Sequence, residues 1–338
     1  MRKASILSIA FAFFISSLVF AQDYSTLDFD VSQYDKQVWE AKNYLRLDGN
    51  HALDRNSKNV FLEYNTHHFV RKNLLDLEID LSASHYSATA PNKSKSSLTM
   101  NKLLQVFADP QKSVEFGKSV KRWGKGYAYS SLAFFEKERN IFYPEFTREG
   151  LWLIEGKTFH SFEESIVSSS SFSLLWAPDV KDNEGLYNNH KRRGAFKIYA
   201  LVKETDIDLI VGENVLGADF STGITSQLEL HGEWGQKNNV ESYLAGFRYQ
   251  STTDFVLISE FFKDFEQRDF LYLKASQKEP FQILYLTSYV IYNQNLKNDF
   301  YRSLLGVNYN FSGRVDLDVA LQKSSNDLGA KLLSTFYF

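Results

Sequence analysis

The chain has 338 residues, no cysteine and a formal net charge of −3 at pH 7, which excludes a disulfide framework, a thiolate metal site and a basic nucleic-acid binder. Aromatics make up 16% of it, with 29 Phe and 19 Tyr against 5 Pro, yet mean hydropathy is only −0.33. That combination excludes a uniformly oily chain and places the apolar residues on one face of alternating segments.

The first segment, MRKASILSIAFAFFISSLVFA (residues 1–21), puts Arg2 and Lys3 ahead of an apolar stretch from Ile6 to Val19 and ends on the small residue Ala21. It reads as a secretory signal peptide cut after Ala21, exported through the Sec pathway. Beyond it no run of eighteen apolar residues occurs, so no transmembrane helix is expected. His67 and His68 fall on opposite faces of an extended segment and make a poor metal chelate. Leu75, Leu77, Ile79 and Leu81 alternate with Asp76, Glu78, Asp80 and Ser82, the pattern of a half-buried strand.

The stretch GKSVKRWGKG, residues 117–126, breaks this rhythm. Gly117-Lys118 precedes Arg122-Trp123-Gly124-Lys125-Gly126, and alternation returns only at Leu151-Trp152-Leu153-Ile154. This G-K-x4-WG-x-G stretch resembles one found after an early strand in several families of porin-like outer-membrane proteins. There a glycine-rich strand end leads into a long loop that folds back into a barrel. The resemblance implies a constriction loop at 127–147, with Lys118, Arg122, Trp123 and Lys125 near the lumen. Phe134, Phe135, Phe142, Tyr143 and Phe146 would anchor such a loop, while Lys137, Glu138, Arg139 and Glu145 would face water. A surface loop over a small satellite core is the alternative.

Strand-like alternation dominates the rest. Phe196, Ile198, Ala200 and Val202 oppose Lys197, Tyr199 and Lys203; Ile224, Ser226, Leu228, Leu230 and Trp234 oppose Thr225, Gln227, Glu229, His231 and Glu233. Glu229, His231 and Glu233 share a face and could bind a cation, but a hydrated row with about 6.5–7 Å between neighbours is the plainer reading. No metal and no cofactor are expected. Tyr243 to Tyr249 and Leu305 to Phe311 alternate in the same way, and Ser312-Gly313 turns the chain into Val315, Leu317, Val319 and Leu321. The chain closes on KLLSTFYF, with Leu332, Phe336 and Phe338 on one face. A terminal Phe is similar to the insertion signal of Gram-negative outer-membrane barrels, although Leu333 stands where that signal prefers glycine.

Strands this long, joined by short turns such as Asp109-Pro110-Gln111 and Ser251-Thr252-Thr253, predict an all-β antiparallel transmembrane barrel over residues 22–338. The expected strand number is about 16, within 14–18. Counting hairpins back from the C-terminus puts the 127–147 loop at the end that carries the termini. Long loops usually sit at the other end, and a strand missed around GENVLGADFSTG would move it there. Acidic positions 76, 78, 80, 229, 233, 316 and 318 are balanced by Lys197, Lys203, Arg248, Arg314 and Lys331, so sequence assigns no ion selectivity.

The function expected is a porin-like channel for passive diffusion of small solutes across the bacterial outer membrane. Its partners would be membrane lipid, the solutes, and the barrel-assembly machinery acting on the last strand. A second possibility is a non-conducting barrel serving surface-polysaccharide handling or capsule attachment. An outer-membrane hydrolase ranks third: His160 and Ser168 to Ser171 supply residue types, but no nucleophile-elbow pattern is present, and the chain reads as no enzyme.

Overall fold

The computed structural model describes residues 38–338 except 53–56, 73–74, 89–92, 138, 143–148, 164, 181–182, 184–192 and 312. The expected signal peptide at 1–21 and the loop residues Glu138, Tyr143, Glu145 and Phe146 lie outside the described residues. Strands run as β1 (Val38–Ala52), β2 (Ser57–Lys72), β3 (Leu75–Ala88), β4 (Lys93–Ala108), β5 (Lys112–Ser119), β6 (Leu151–Ser161), β7 (Val167–Ala177), β8 (Arg193–Val202) and β9 (Thr205–Gly212). They continue as β10 (Val215–Gly223), β11 (Leu228–Lys237), β12 (Val240–Gln250), β13 (Phe255–Lys263), β14 (Asp269–Lys278), β15 (Leu286–Asn295), β16 (Phe300–Phe311), β17 (Val315–Ser324) and β18 (Leu328–Tyr337).

Each strand pairs antiparallel with its neighbours in sequence, and β1 pairs with β18 as well as with β2, which closes the 18-stranded sheet. Closure removes the exposed edges an open sheet of this size would present. The first and last strands meet in register, Tyr44 opposite Tyr337 and Leu45 opposite Phe336. Strand number is therefore two above sixteen and at the top of the expected range.

Alternation decides which residues face out. On β16 and β17 the side chains of Leu305 and Leu321 are 58% and 56% exposed, while their neighbours Leu304 and Ala320 are buried. On β18 Leu332 and Phe336 are exposed, as is Phe338 just beyond it, whereas Lys331, Leu333 and Thr335 are buried toward the interior. Because the side-chain period is two, the faces alternate along each strand: the outward positions carry exposed apolar residues, and the enclosed positions mix polar and charged groups with apolar ones where the long loop packs.

The end at which the long loop lies, left open by the strand count, follows from the topology. Thirteen strands, β6 to β18, follow the long loop, an odd number, so the loop joins β5 to β6 at the end opposite the start of β1 and the finish of β18. The stretch GENVLGADFSTG, singled out by sequence as the place where a strand could be missed, holds the β9–β10 turn at Glu213-Asn214 and all of β10. Asn214 takes φ 61° there, the left-handed geometry that a tight hairpin turn needs. Gly217, Gly223 and Asp219 thin the hydrophobic alternation of β10, which is why the pattern was weak. The stretch 224–227, read as strand, is instead the β10–β11 turn.

Candidate functional site

The β5–β6 loop, residues 120–150, enters at Gly117, whose φ is +132° and where a Cβ would stand 2.0 Å from the Leu103 carbonyl oxygen. Only glycine fits that close approach. From there the loop turns into the lumen and packs on both walls. Trp123, Leu132, Phe134 and Phe135 join Leu151, Leu153, Leu175, Ile210 and Val215 of β6, β7, β9 and β10 in one buried cluster. Ala128 and Phe142 join Tyr272, Tyr289, Ile291, Leu304 and Leu333 of β14, β15, β16 and β18 in another. The loop therefore spans the barrel from one side to the other. Its seat is cut by a cross-strand glycine pair, Gly217 opposite Gly235, over which Leu132 and Ser131 lie.

Two buried carboxylates hold the loop backbone. Glu233 accepts hydrogen bonds from the Gly126 N–H (2.7 Å), the Ser131 N–H (2.6 Å) and the Ser130 hydroxyl (2.9 Å). Glu260, fully buried, accepts from the N–H groups of Tyr127, Ala128 (2.9 Å) and Tyr129 (3.3 Å), and lies 3.2 Å from His231 Nε2. Glu229 accepts from the Tyr127 hydroxyl at 3.0 Å. The row Glu229, His231 and Glu233 is thus not a hydrated lumen row, as its spacing suggested. His231 and Glu233 are 2% and 5% exposed and belong to the loop seat. A charged acceptor is the stronger kind, contributing about 1.5–3 kcal/mol per bond. Glu260→Ala is therefore expected to raise hydrogen exchange at residues 127–129 at least tenfold while leaving strand amides unchanged. Unaltered exchange would mean that the carboxylate does not hold the loop.

Ion pairs fix the loop charges. Lys118 and Lys137 both contact Glu149, at 3.0 and 2.6 Å, and Arg139 binds Glu136 and donates to the Gly126 carbonyl at 2.9 Å. Lys137 and Arg139 do not stand free in a water path as expected: the Arg139 side chain is 8% exposed. Trp123, expected near the lumen, is buried between the loop and the inner wall, its ring centroid 5.0 Å from that of Phe135. Lys125 reaches Asp208 at 3.2 Å and Asp219 at 3.9 Å. Burial works against its ammonium, but the two aspartates outweigh it and hold its pKa above the ordinary value. Lys121 sits between Glu115 and Glu155 and is raised for the same reason, against its own burial. Burial, then Glu229, push the Tyr127 phenol up to about 12. Glu145 lies outside the described residues.

No family model matches the chain, and no curated protein matches it in sequence. Solved structures do resemble it. A triply substituted variant of the Rh. blastica porin aligns at TM-score 0.51 and 10% identity over 89% of this chain and all of that one. Another variant of the same porin gives 0.51 at 12% identity with the same coverage. Pseudomonas aeruginosa OccK5 (OpdH) gives 0.57 at 9% identity, over 89% of this chain and 98% of that one. The fold is a porin-like barrel.

Within this porin-like barrel, structure brings together residues that sequence reading passed over. Glu260 is the single carboxylate among the inward positions Val256, Ile258 and Phe262 of β13, a lone charge in an apolar row. That break was the available signal. Glu115, Glu155, Asp208 and Asp219 likewise become functional candidates only once the loop lysines are laid against them. The glycine pair carried no local mark at all.

Proposed function

We propose that the protein is a passive channel for small solutes in the outer membrane, narrowed by residues 120–142 of the β5–β6 loop. The single observation that carries this reading is the loop's course: anchored on opposing walls, it leaves solutes only the space beside it. An outer-membrane barrel with β18 finishing on the periplasmic side would admit the loop from the outside, the usual arrangement of long loops. A polar lumen wall with charges of both signs suits a water-filled path. Ser171 and Ser173 point inward whereas His160 packs against the outward ring of Phe172, which supports a non-catalytic reading.

The second reading, a filled barrel with an accessory role, is favoured by the burial of Leu132, Phe134 and Phe135, each at or below 2% exposure. Planar-bilayer recording separates the two. Purified protein is expected to conduct, and replacing residues 126–142 with a short glycine bridge is expected to raise unitary conductance severalfold, since channel width governs flow. A silent intact protein that stays silent after excision would favour the accessory role and discard the channel.

A further inference from the structure

Beneath the loop, toward the end where β18 finishes, a cavity of ≈330 Å³ opens between the loop segment Val120–Trp123 and the inner face of β6, β7 and β8. Its wall is laid out in two cross-strand rows. In one, Ser173 of β7 is flanked by Lys157 of β6 and Lys197 of β8; in the next, Ser171 is flanked by Phe159 and Tyr199. Lys121, Arg122 and Trp123 of the loop close the remaining side.

The charges here are sorted by depth. Glu155, itself part of the cavity lining, and Asp208 have side chains 0% and 1% exposed, and Glu115 also reaches Lys157 at 3.7 Å. The ammonium groups stand in front, the side chains of Lys157 and Lys197 being 27% and 18% exposed, and Arg122 is exposed as well. Glu155 contacts Lys157 at 3.4 Å, and Asp208 contacts Lys197 at 2.9 Å. Each carboxylate thus holds a lysine ammonium at the wall. An ammonium has three N–H donors, so a lysine held from behind still presents donors to the cavity. Lys197 Nζ also lies 5.9 Å from the Trp123 ring centroid, which ties the loop to this wall.

We propose that this cavity is a binding subsite for small organic monoanions bearing a ring. The anionic head would lie between Lys157 and Lys197 over Ser173, and the ring between Phe159 and Tyr199 over Ser171. The head gains charge-assisted hydrogen bonds, and the ring gains aromatic contact and leaves water. A neutral ring forfeits the first and an inorganic anion the second. The inference rests on the channel reading only in placing the subsite on a solute path; binding itself does not require conduction.

Calorimetric titration of the full-length protein in detergent tests it, with benzoate, inorganic phosphate and benzyl alcohol as probes. Benzoate is expected to bind saturably, at least tenfold more tightly than either of the others. Lys157→Gln with Lys197→Gln should weaken benzoate at least tenfold, provided the protein still shows barrel-type heat-modifiable mobility. If the double variant misfolds, Tyr199→Leu serves instead and should weaken benzoate but not phosphate. Absence of saturable benzoate binding, benzyl alcohol or phosphate binding as tightly as benzoate, or a lysine-depleted barrel that still binds it equally would each overturn the subsite. Bilayer recording of the same preparation keeps the two readings apart. Benzoate binding by a silent barrel supports the subsite and ends the channel, whereas conduction without benzoate binding does the reverse.

Discussion

Gly235→Val is expected to expel the β5–β6 loop from the lumen while the barrel remains closed. A Cβ at Gly235 would stand 2.3 Å from the Ser131 carbonyl oxygen and 3.1 Å from its carbon. These are backbone atoms, and no rotamer change relieves the clash. The peptide cannot shift without breaking the Ser131 N–H bond to Glu233, two residues away on the same strand. Overpacking of a filled interior typically costs about 1–3 kcal/mol, and loss of the charged bonds to Glu233 adds about 1.5–3 kcal/mol each. Gly217→Leu should act in the same direction, because its Cβ would meet Leu132 Cδ2 at 2.3 Å. Gly156→Ala is the control, with nothing within 4 Å of its Cβ. Tryptic cleavage after Lys125 or Arg139 should accelerate at least tenfold in the first two variants and not in the third, with a matching rise in conductance. Unchanged cleavage in Gly235→Val would show that the loop does not rest on this seat. Loss of heat-modifiable mobility would make the loop part of the folding core rather than a constriction.

The second large effect concerns the outer wall. Leu305 pairs with Val290 on one side and Leu321 on the other, and all three are about half exposed on the outer face near mid-strand. If lipid covers this band, Leu305→Arg buries an unpaired charge in hydrocarbon and should cost about 2–4 kcal/mol in unfolding from vesicles. Asn308→Arg on the inner face of the same strand meets water and Asp318, its cross-strand neighbour, and should cost far less. Equal losses for the two variants would mean that the outer wall does not face lipid, and the membrane assignment would fall.

Local periodicity was sufficient for the strands, their faces and the all-β class. Leu305 and Val319 could be assigned outward, and Asn308 and Asp318 inward, because a period of two is a property of the backbone and needs no partner. The same logic marked residues 127–147 as a long stretch without alternation. It was weak on β10, where glycines dilute the pattern, and so left open the end at which the loop lies. What sequence could not supply were relations between distant segments: Glu260 beneath the Tyr127 amide, Lys125 against Asp208, and Gly217 beside Gly235 under Leu132. The lumen charges make the point most directly. Counted along the chain, acids and bases cancel, but in the barrel Glu155 and Asp208 are buried while Lys157 and Lys197 stand forward of them. Coulomb interaction depends on distance and on local dielectric, and both are set by which strands close the barrel and where the loop lies inside it.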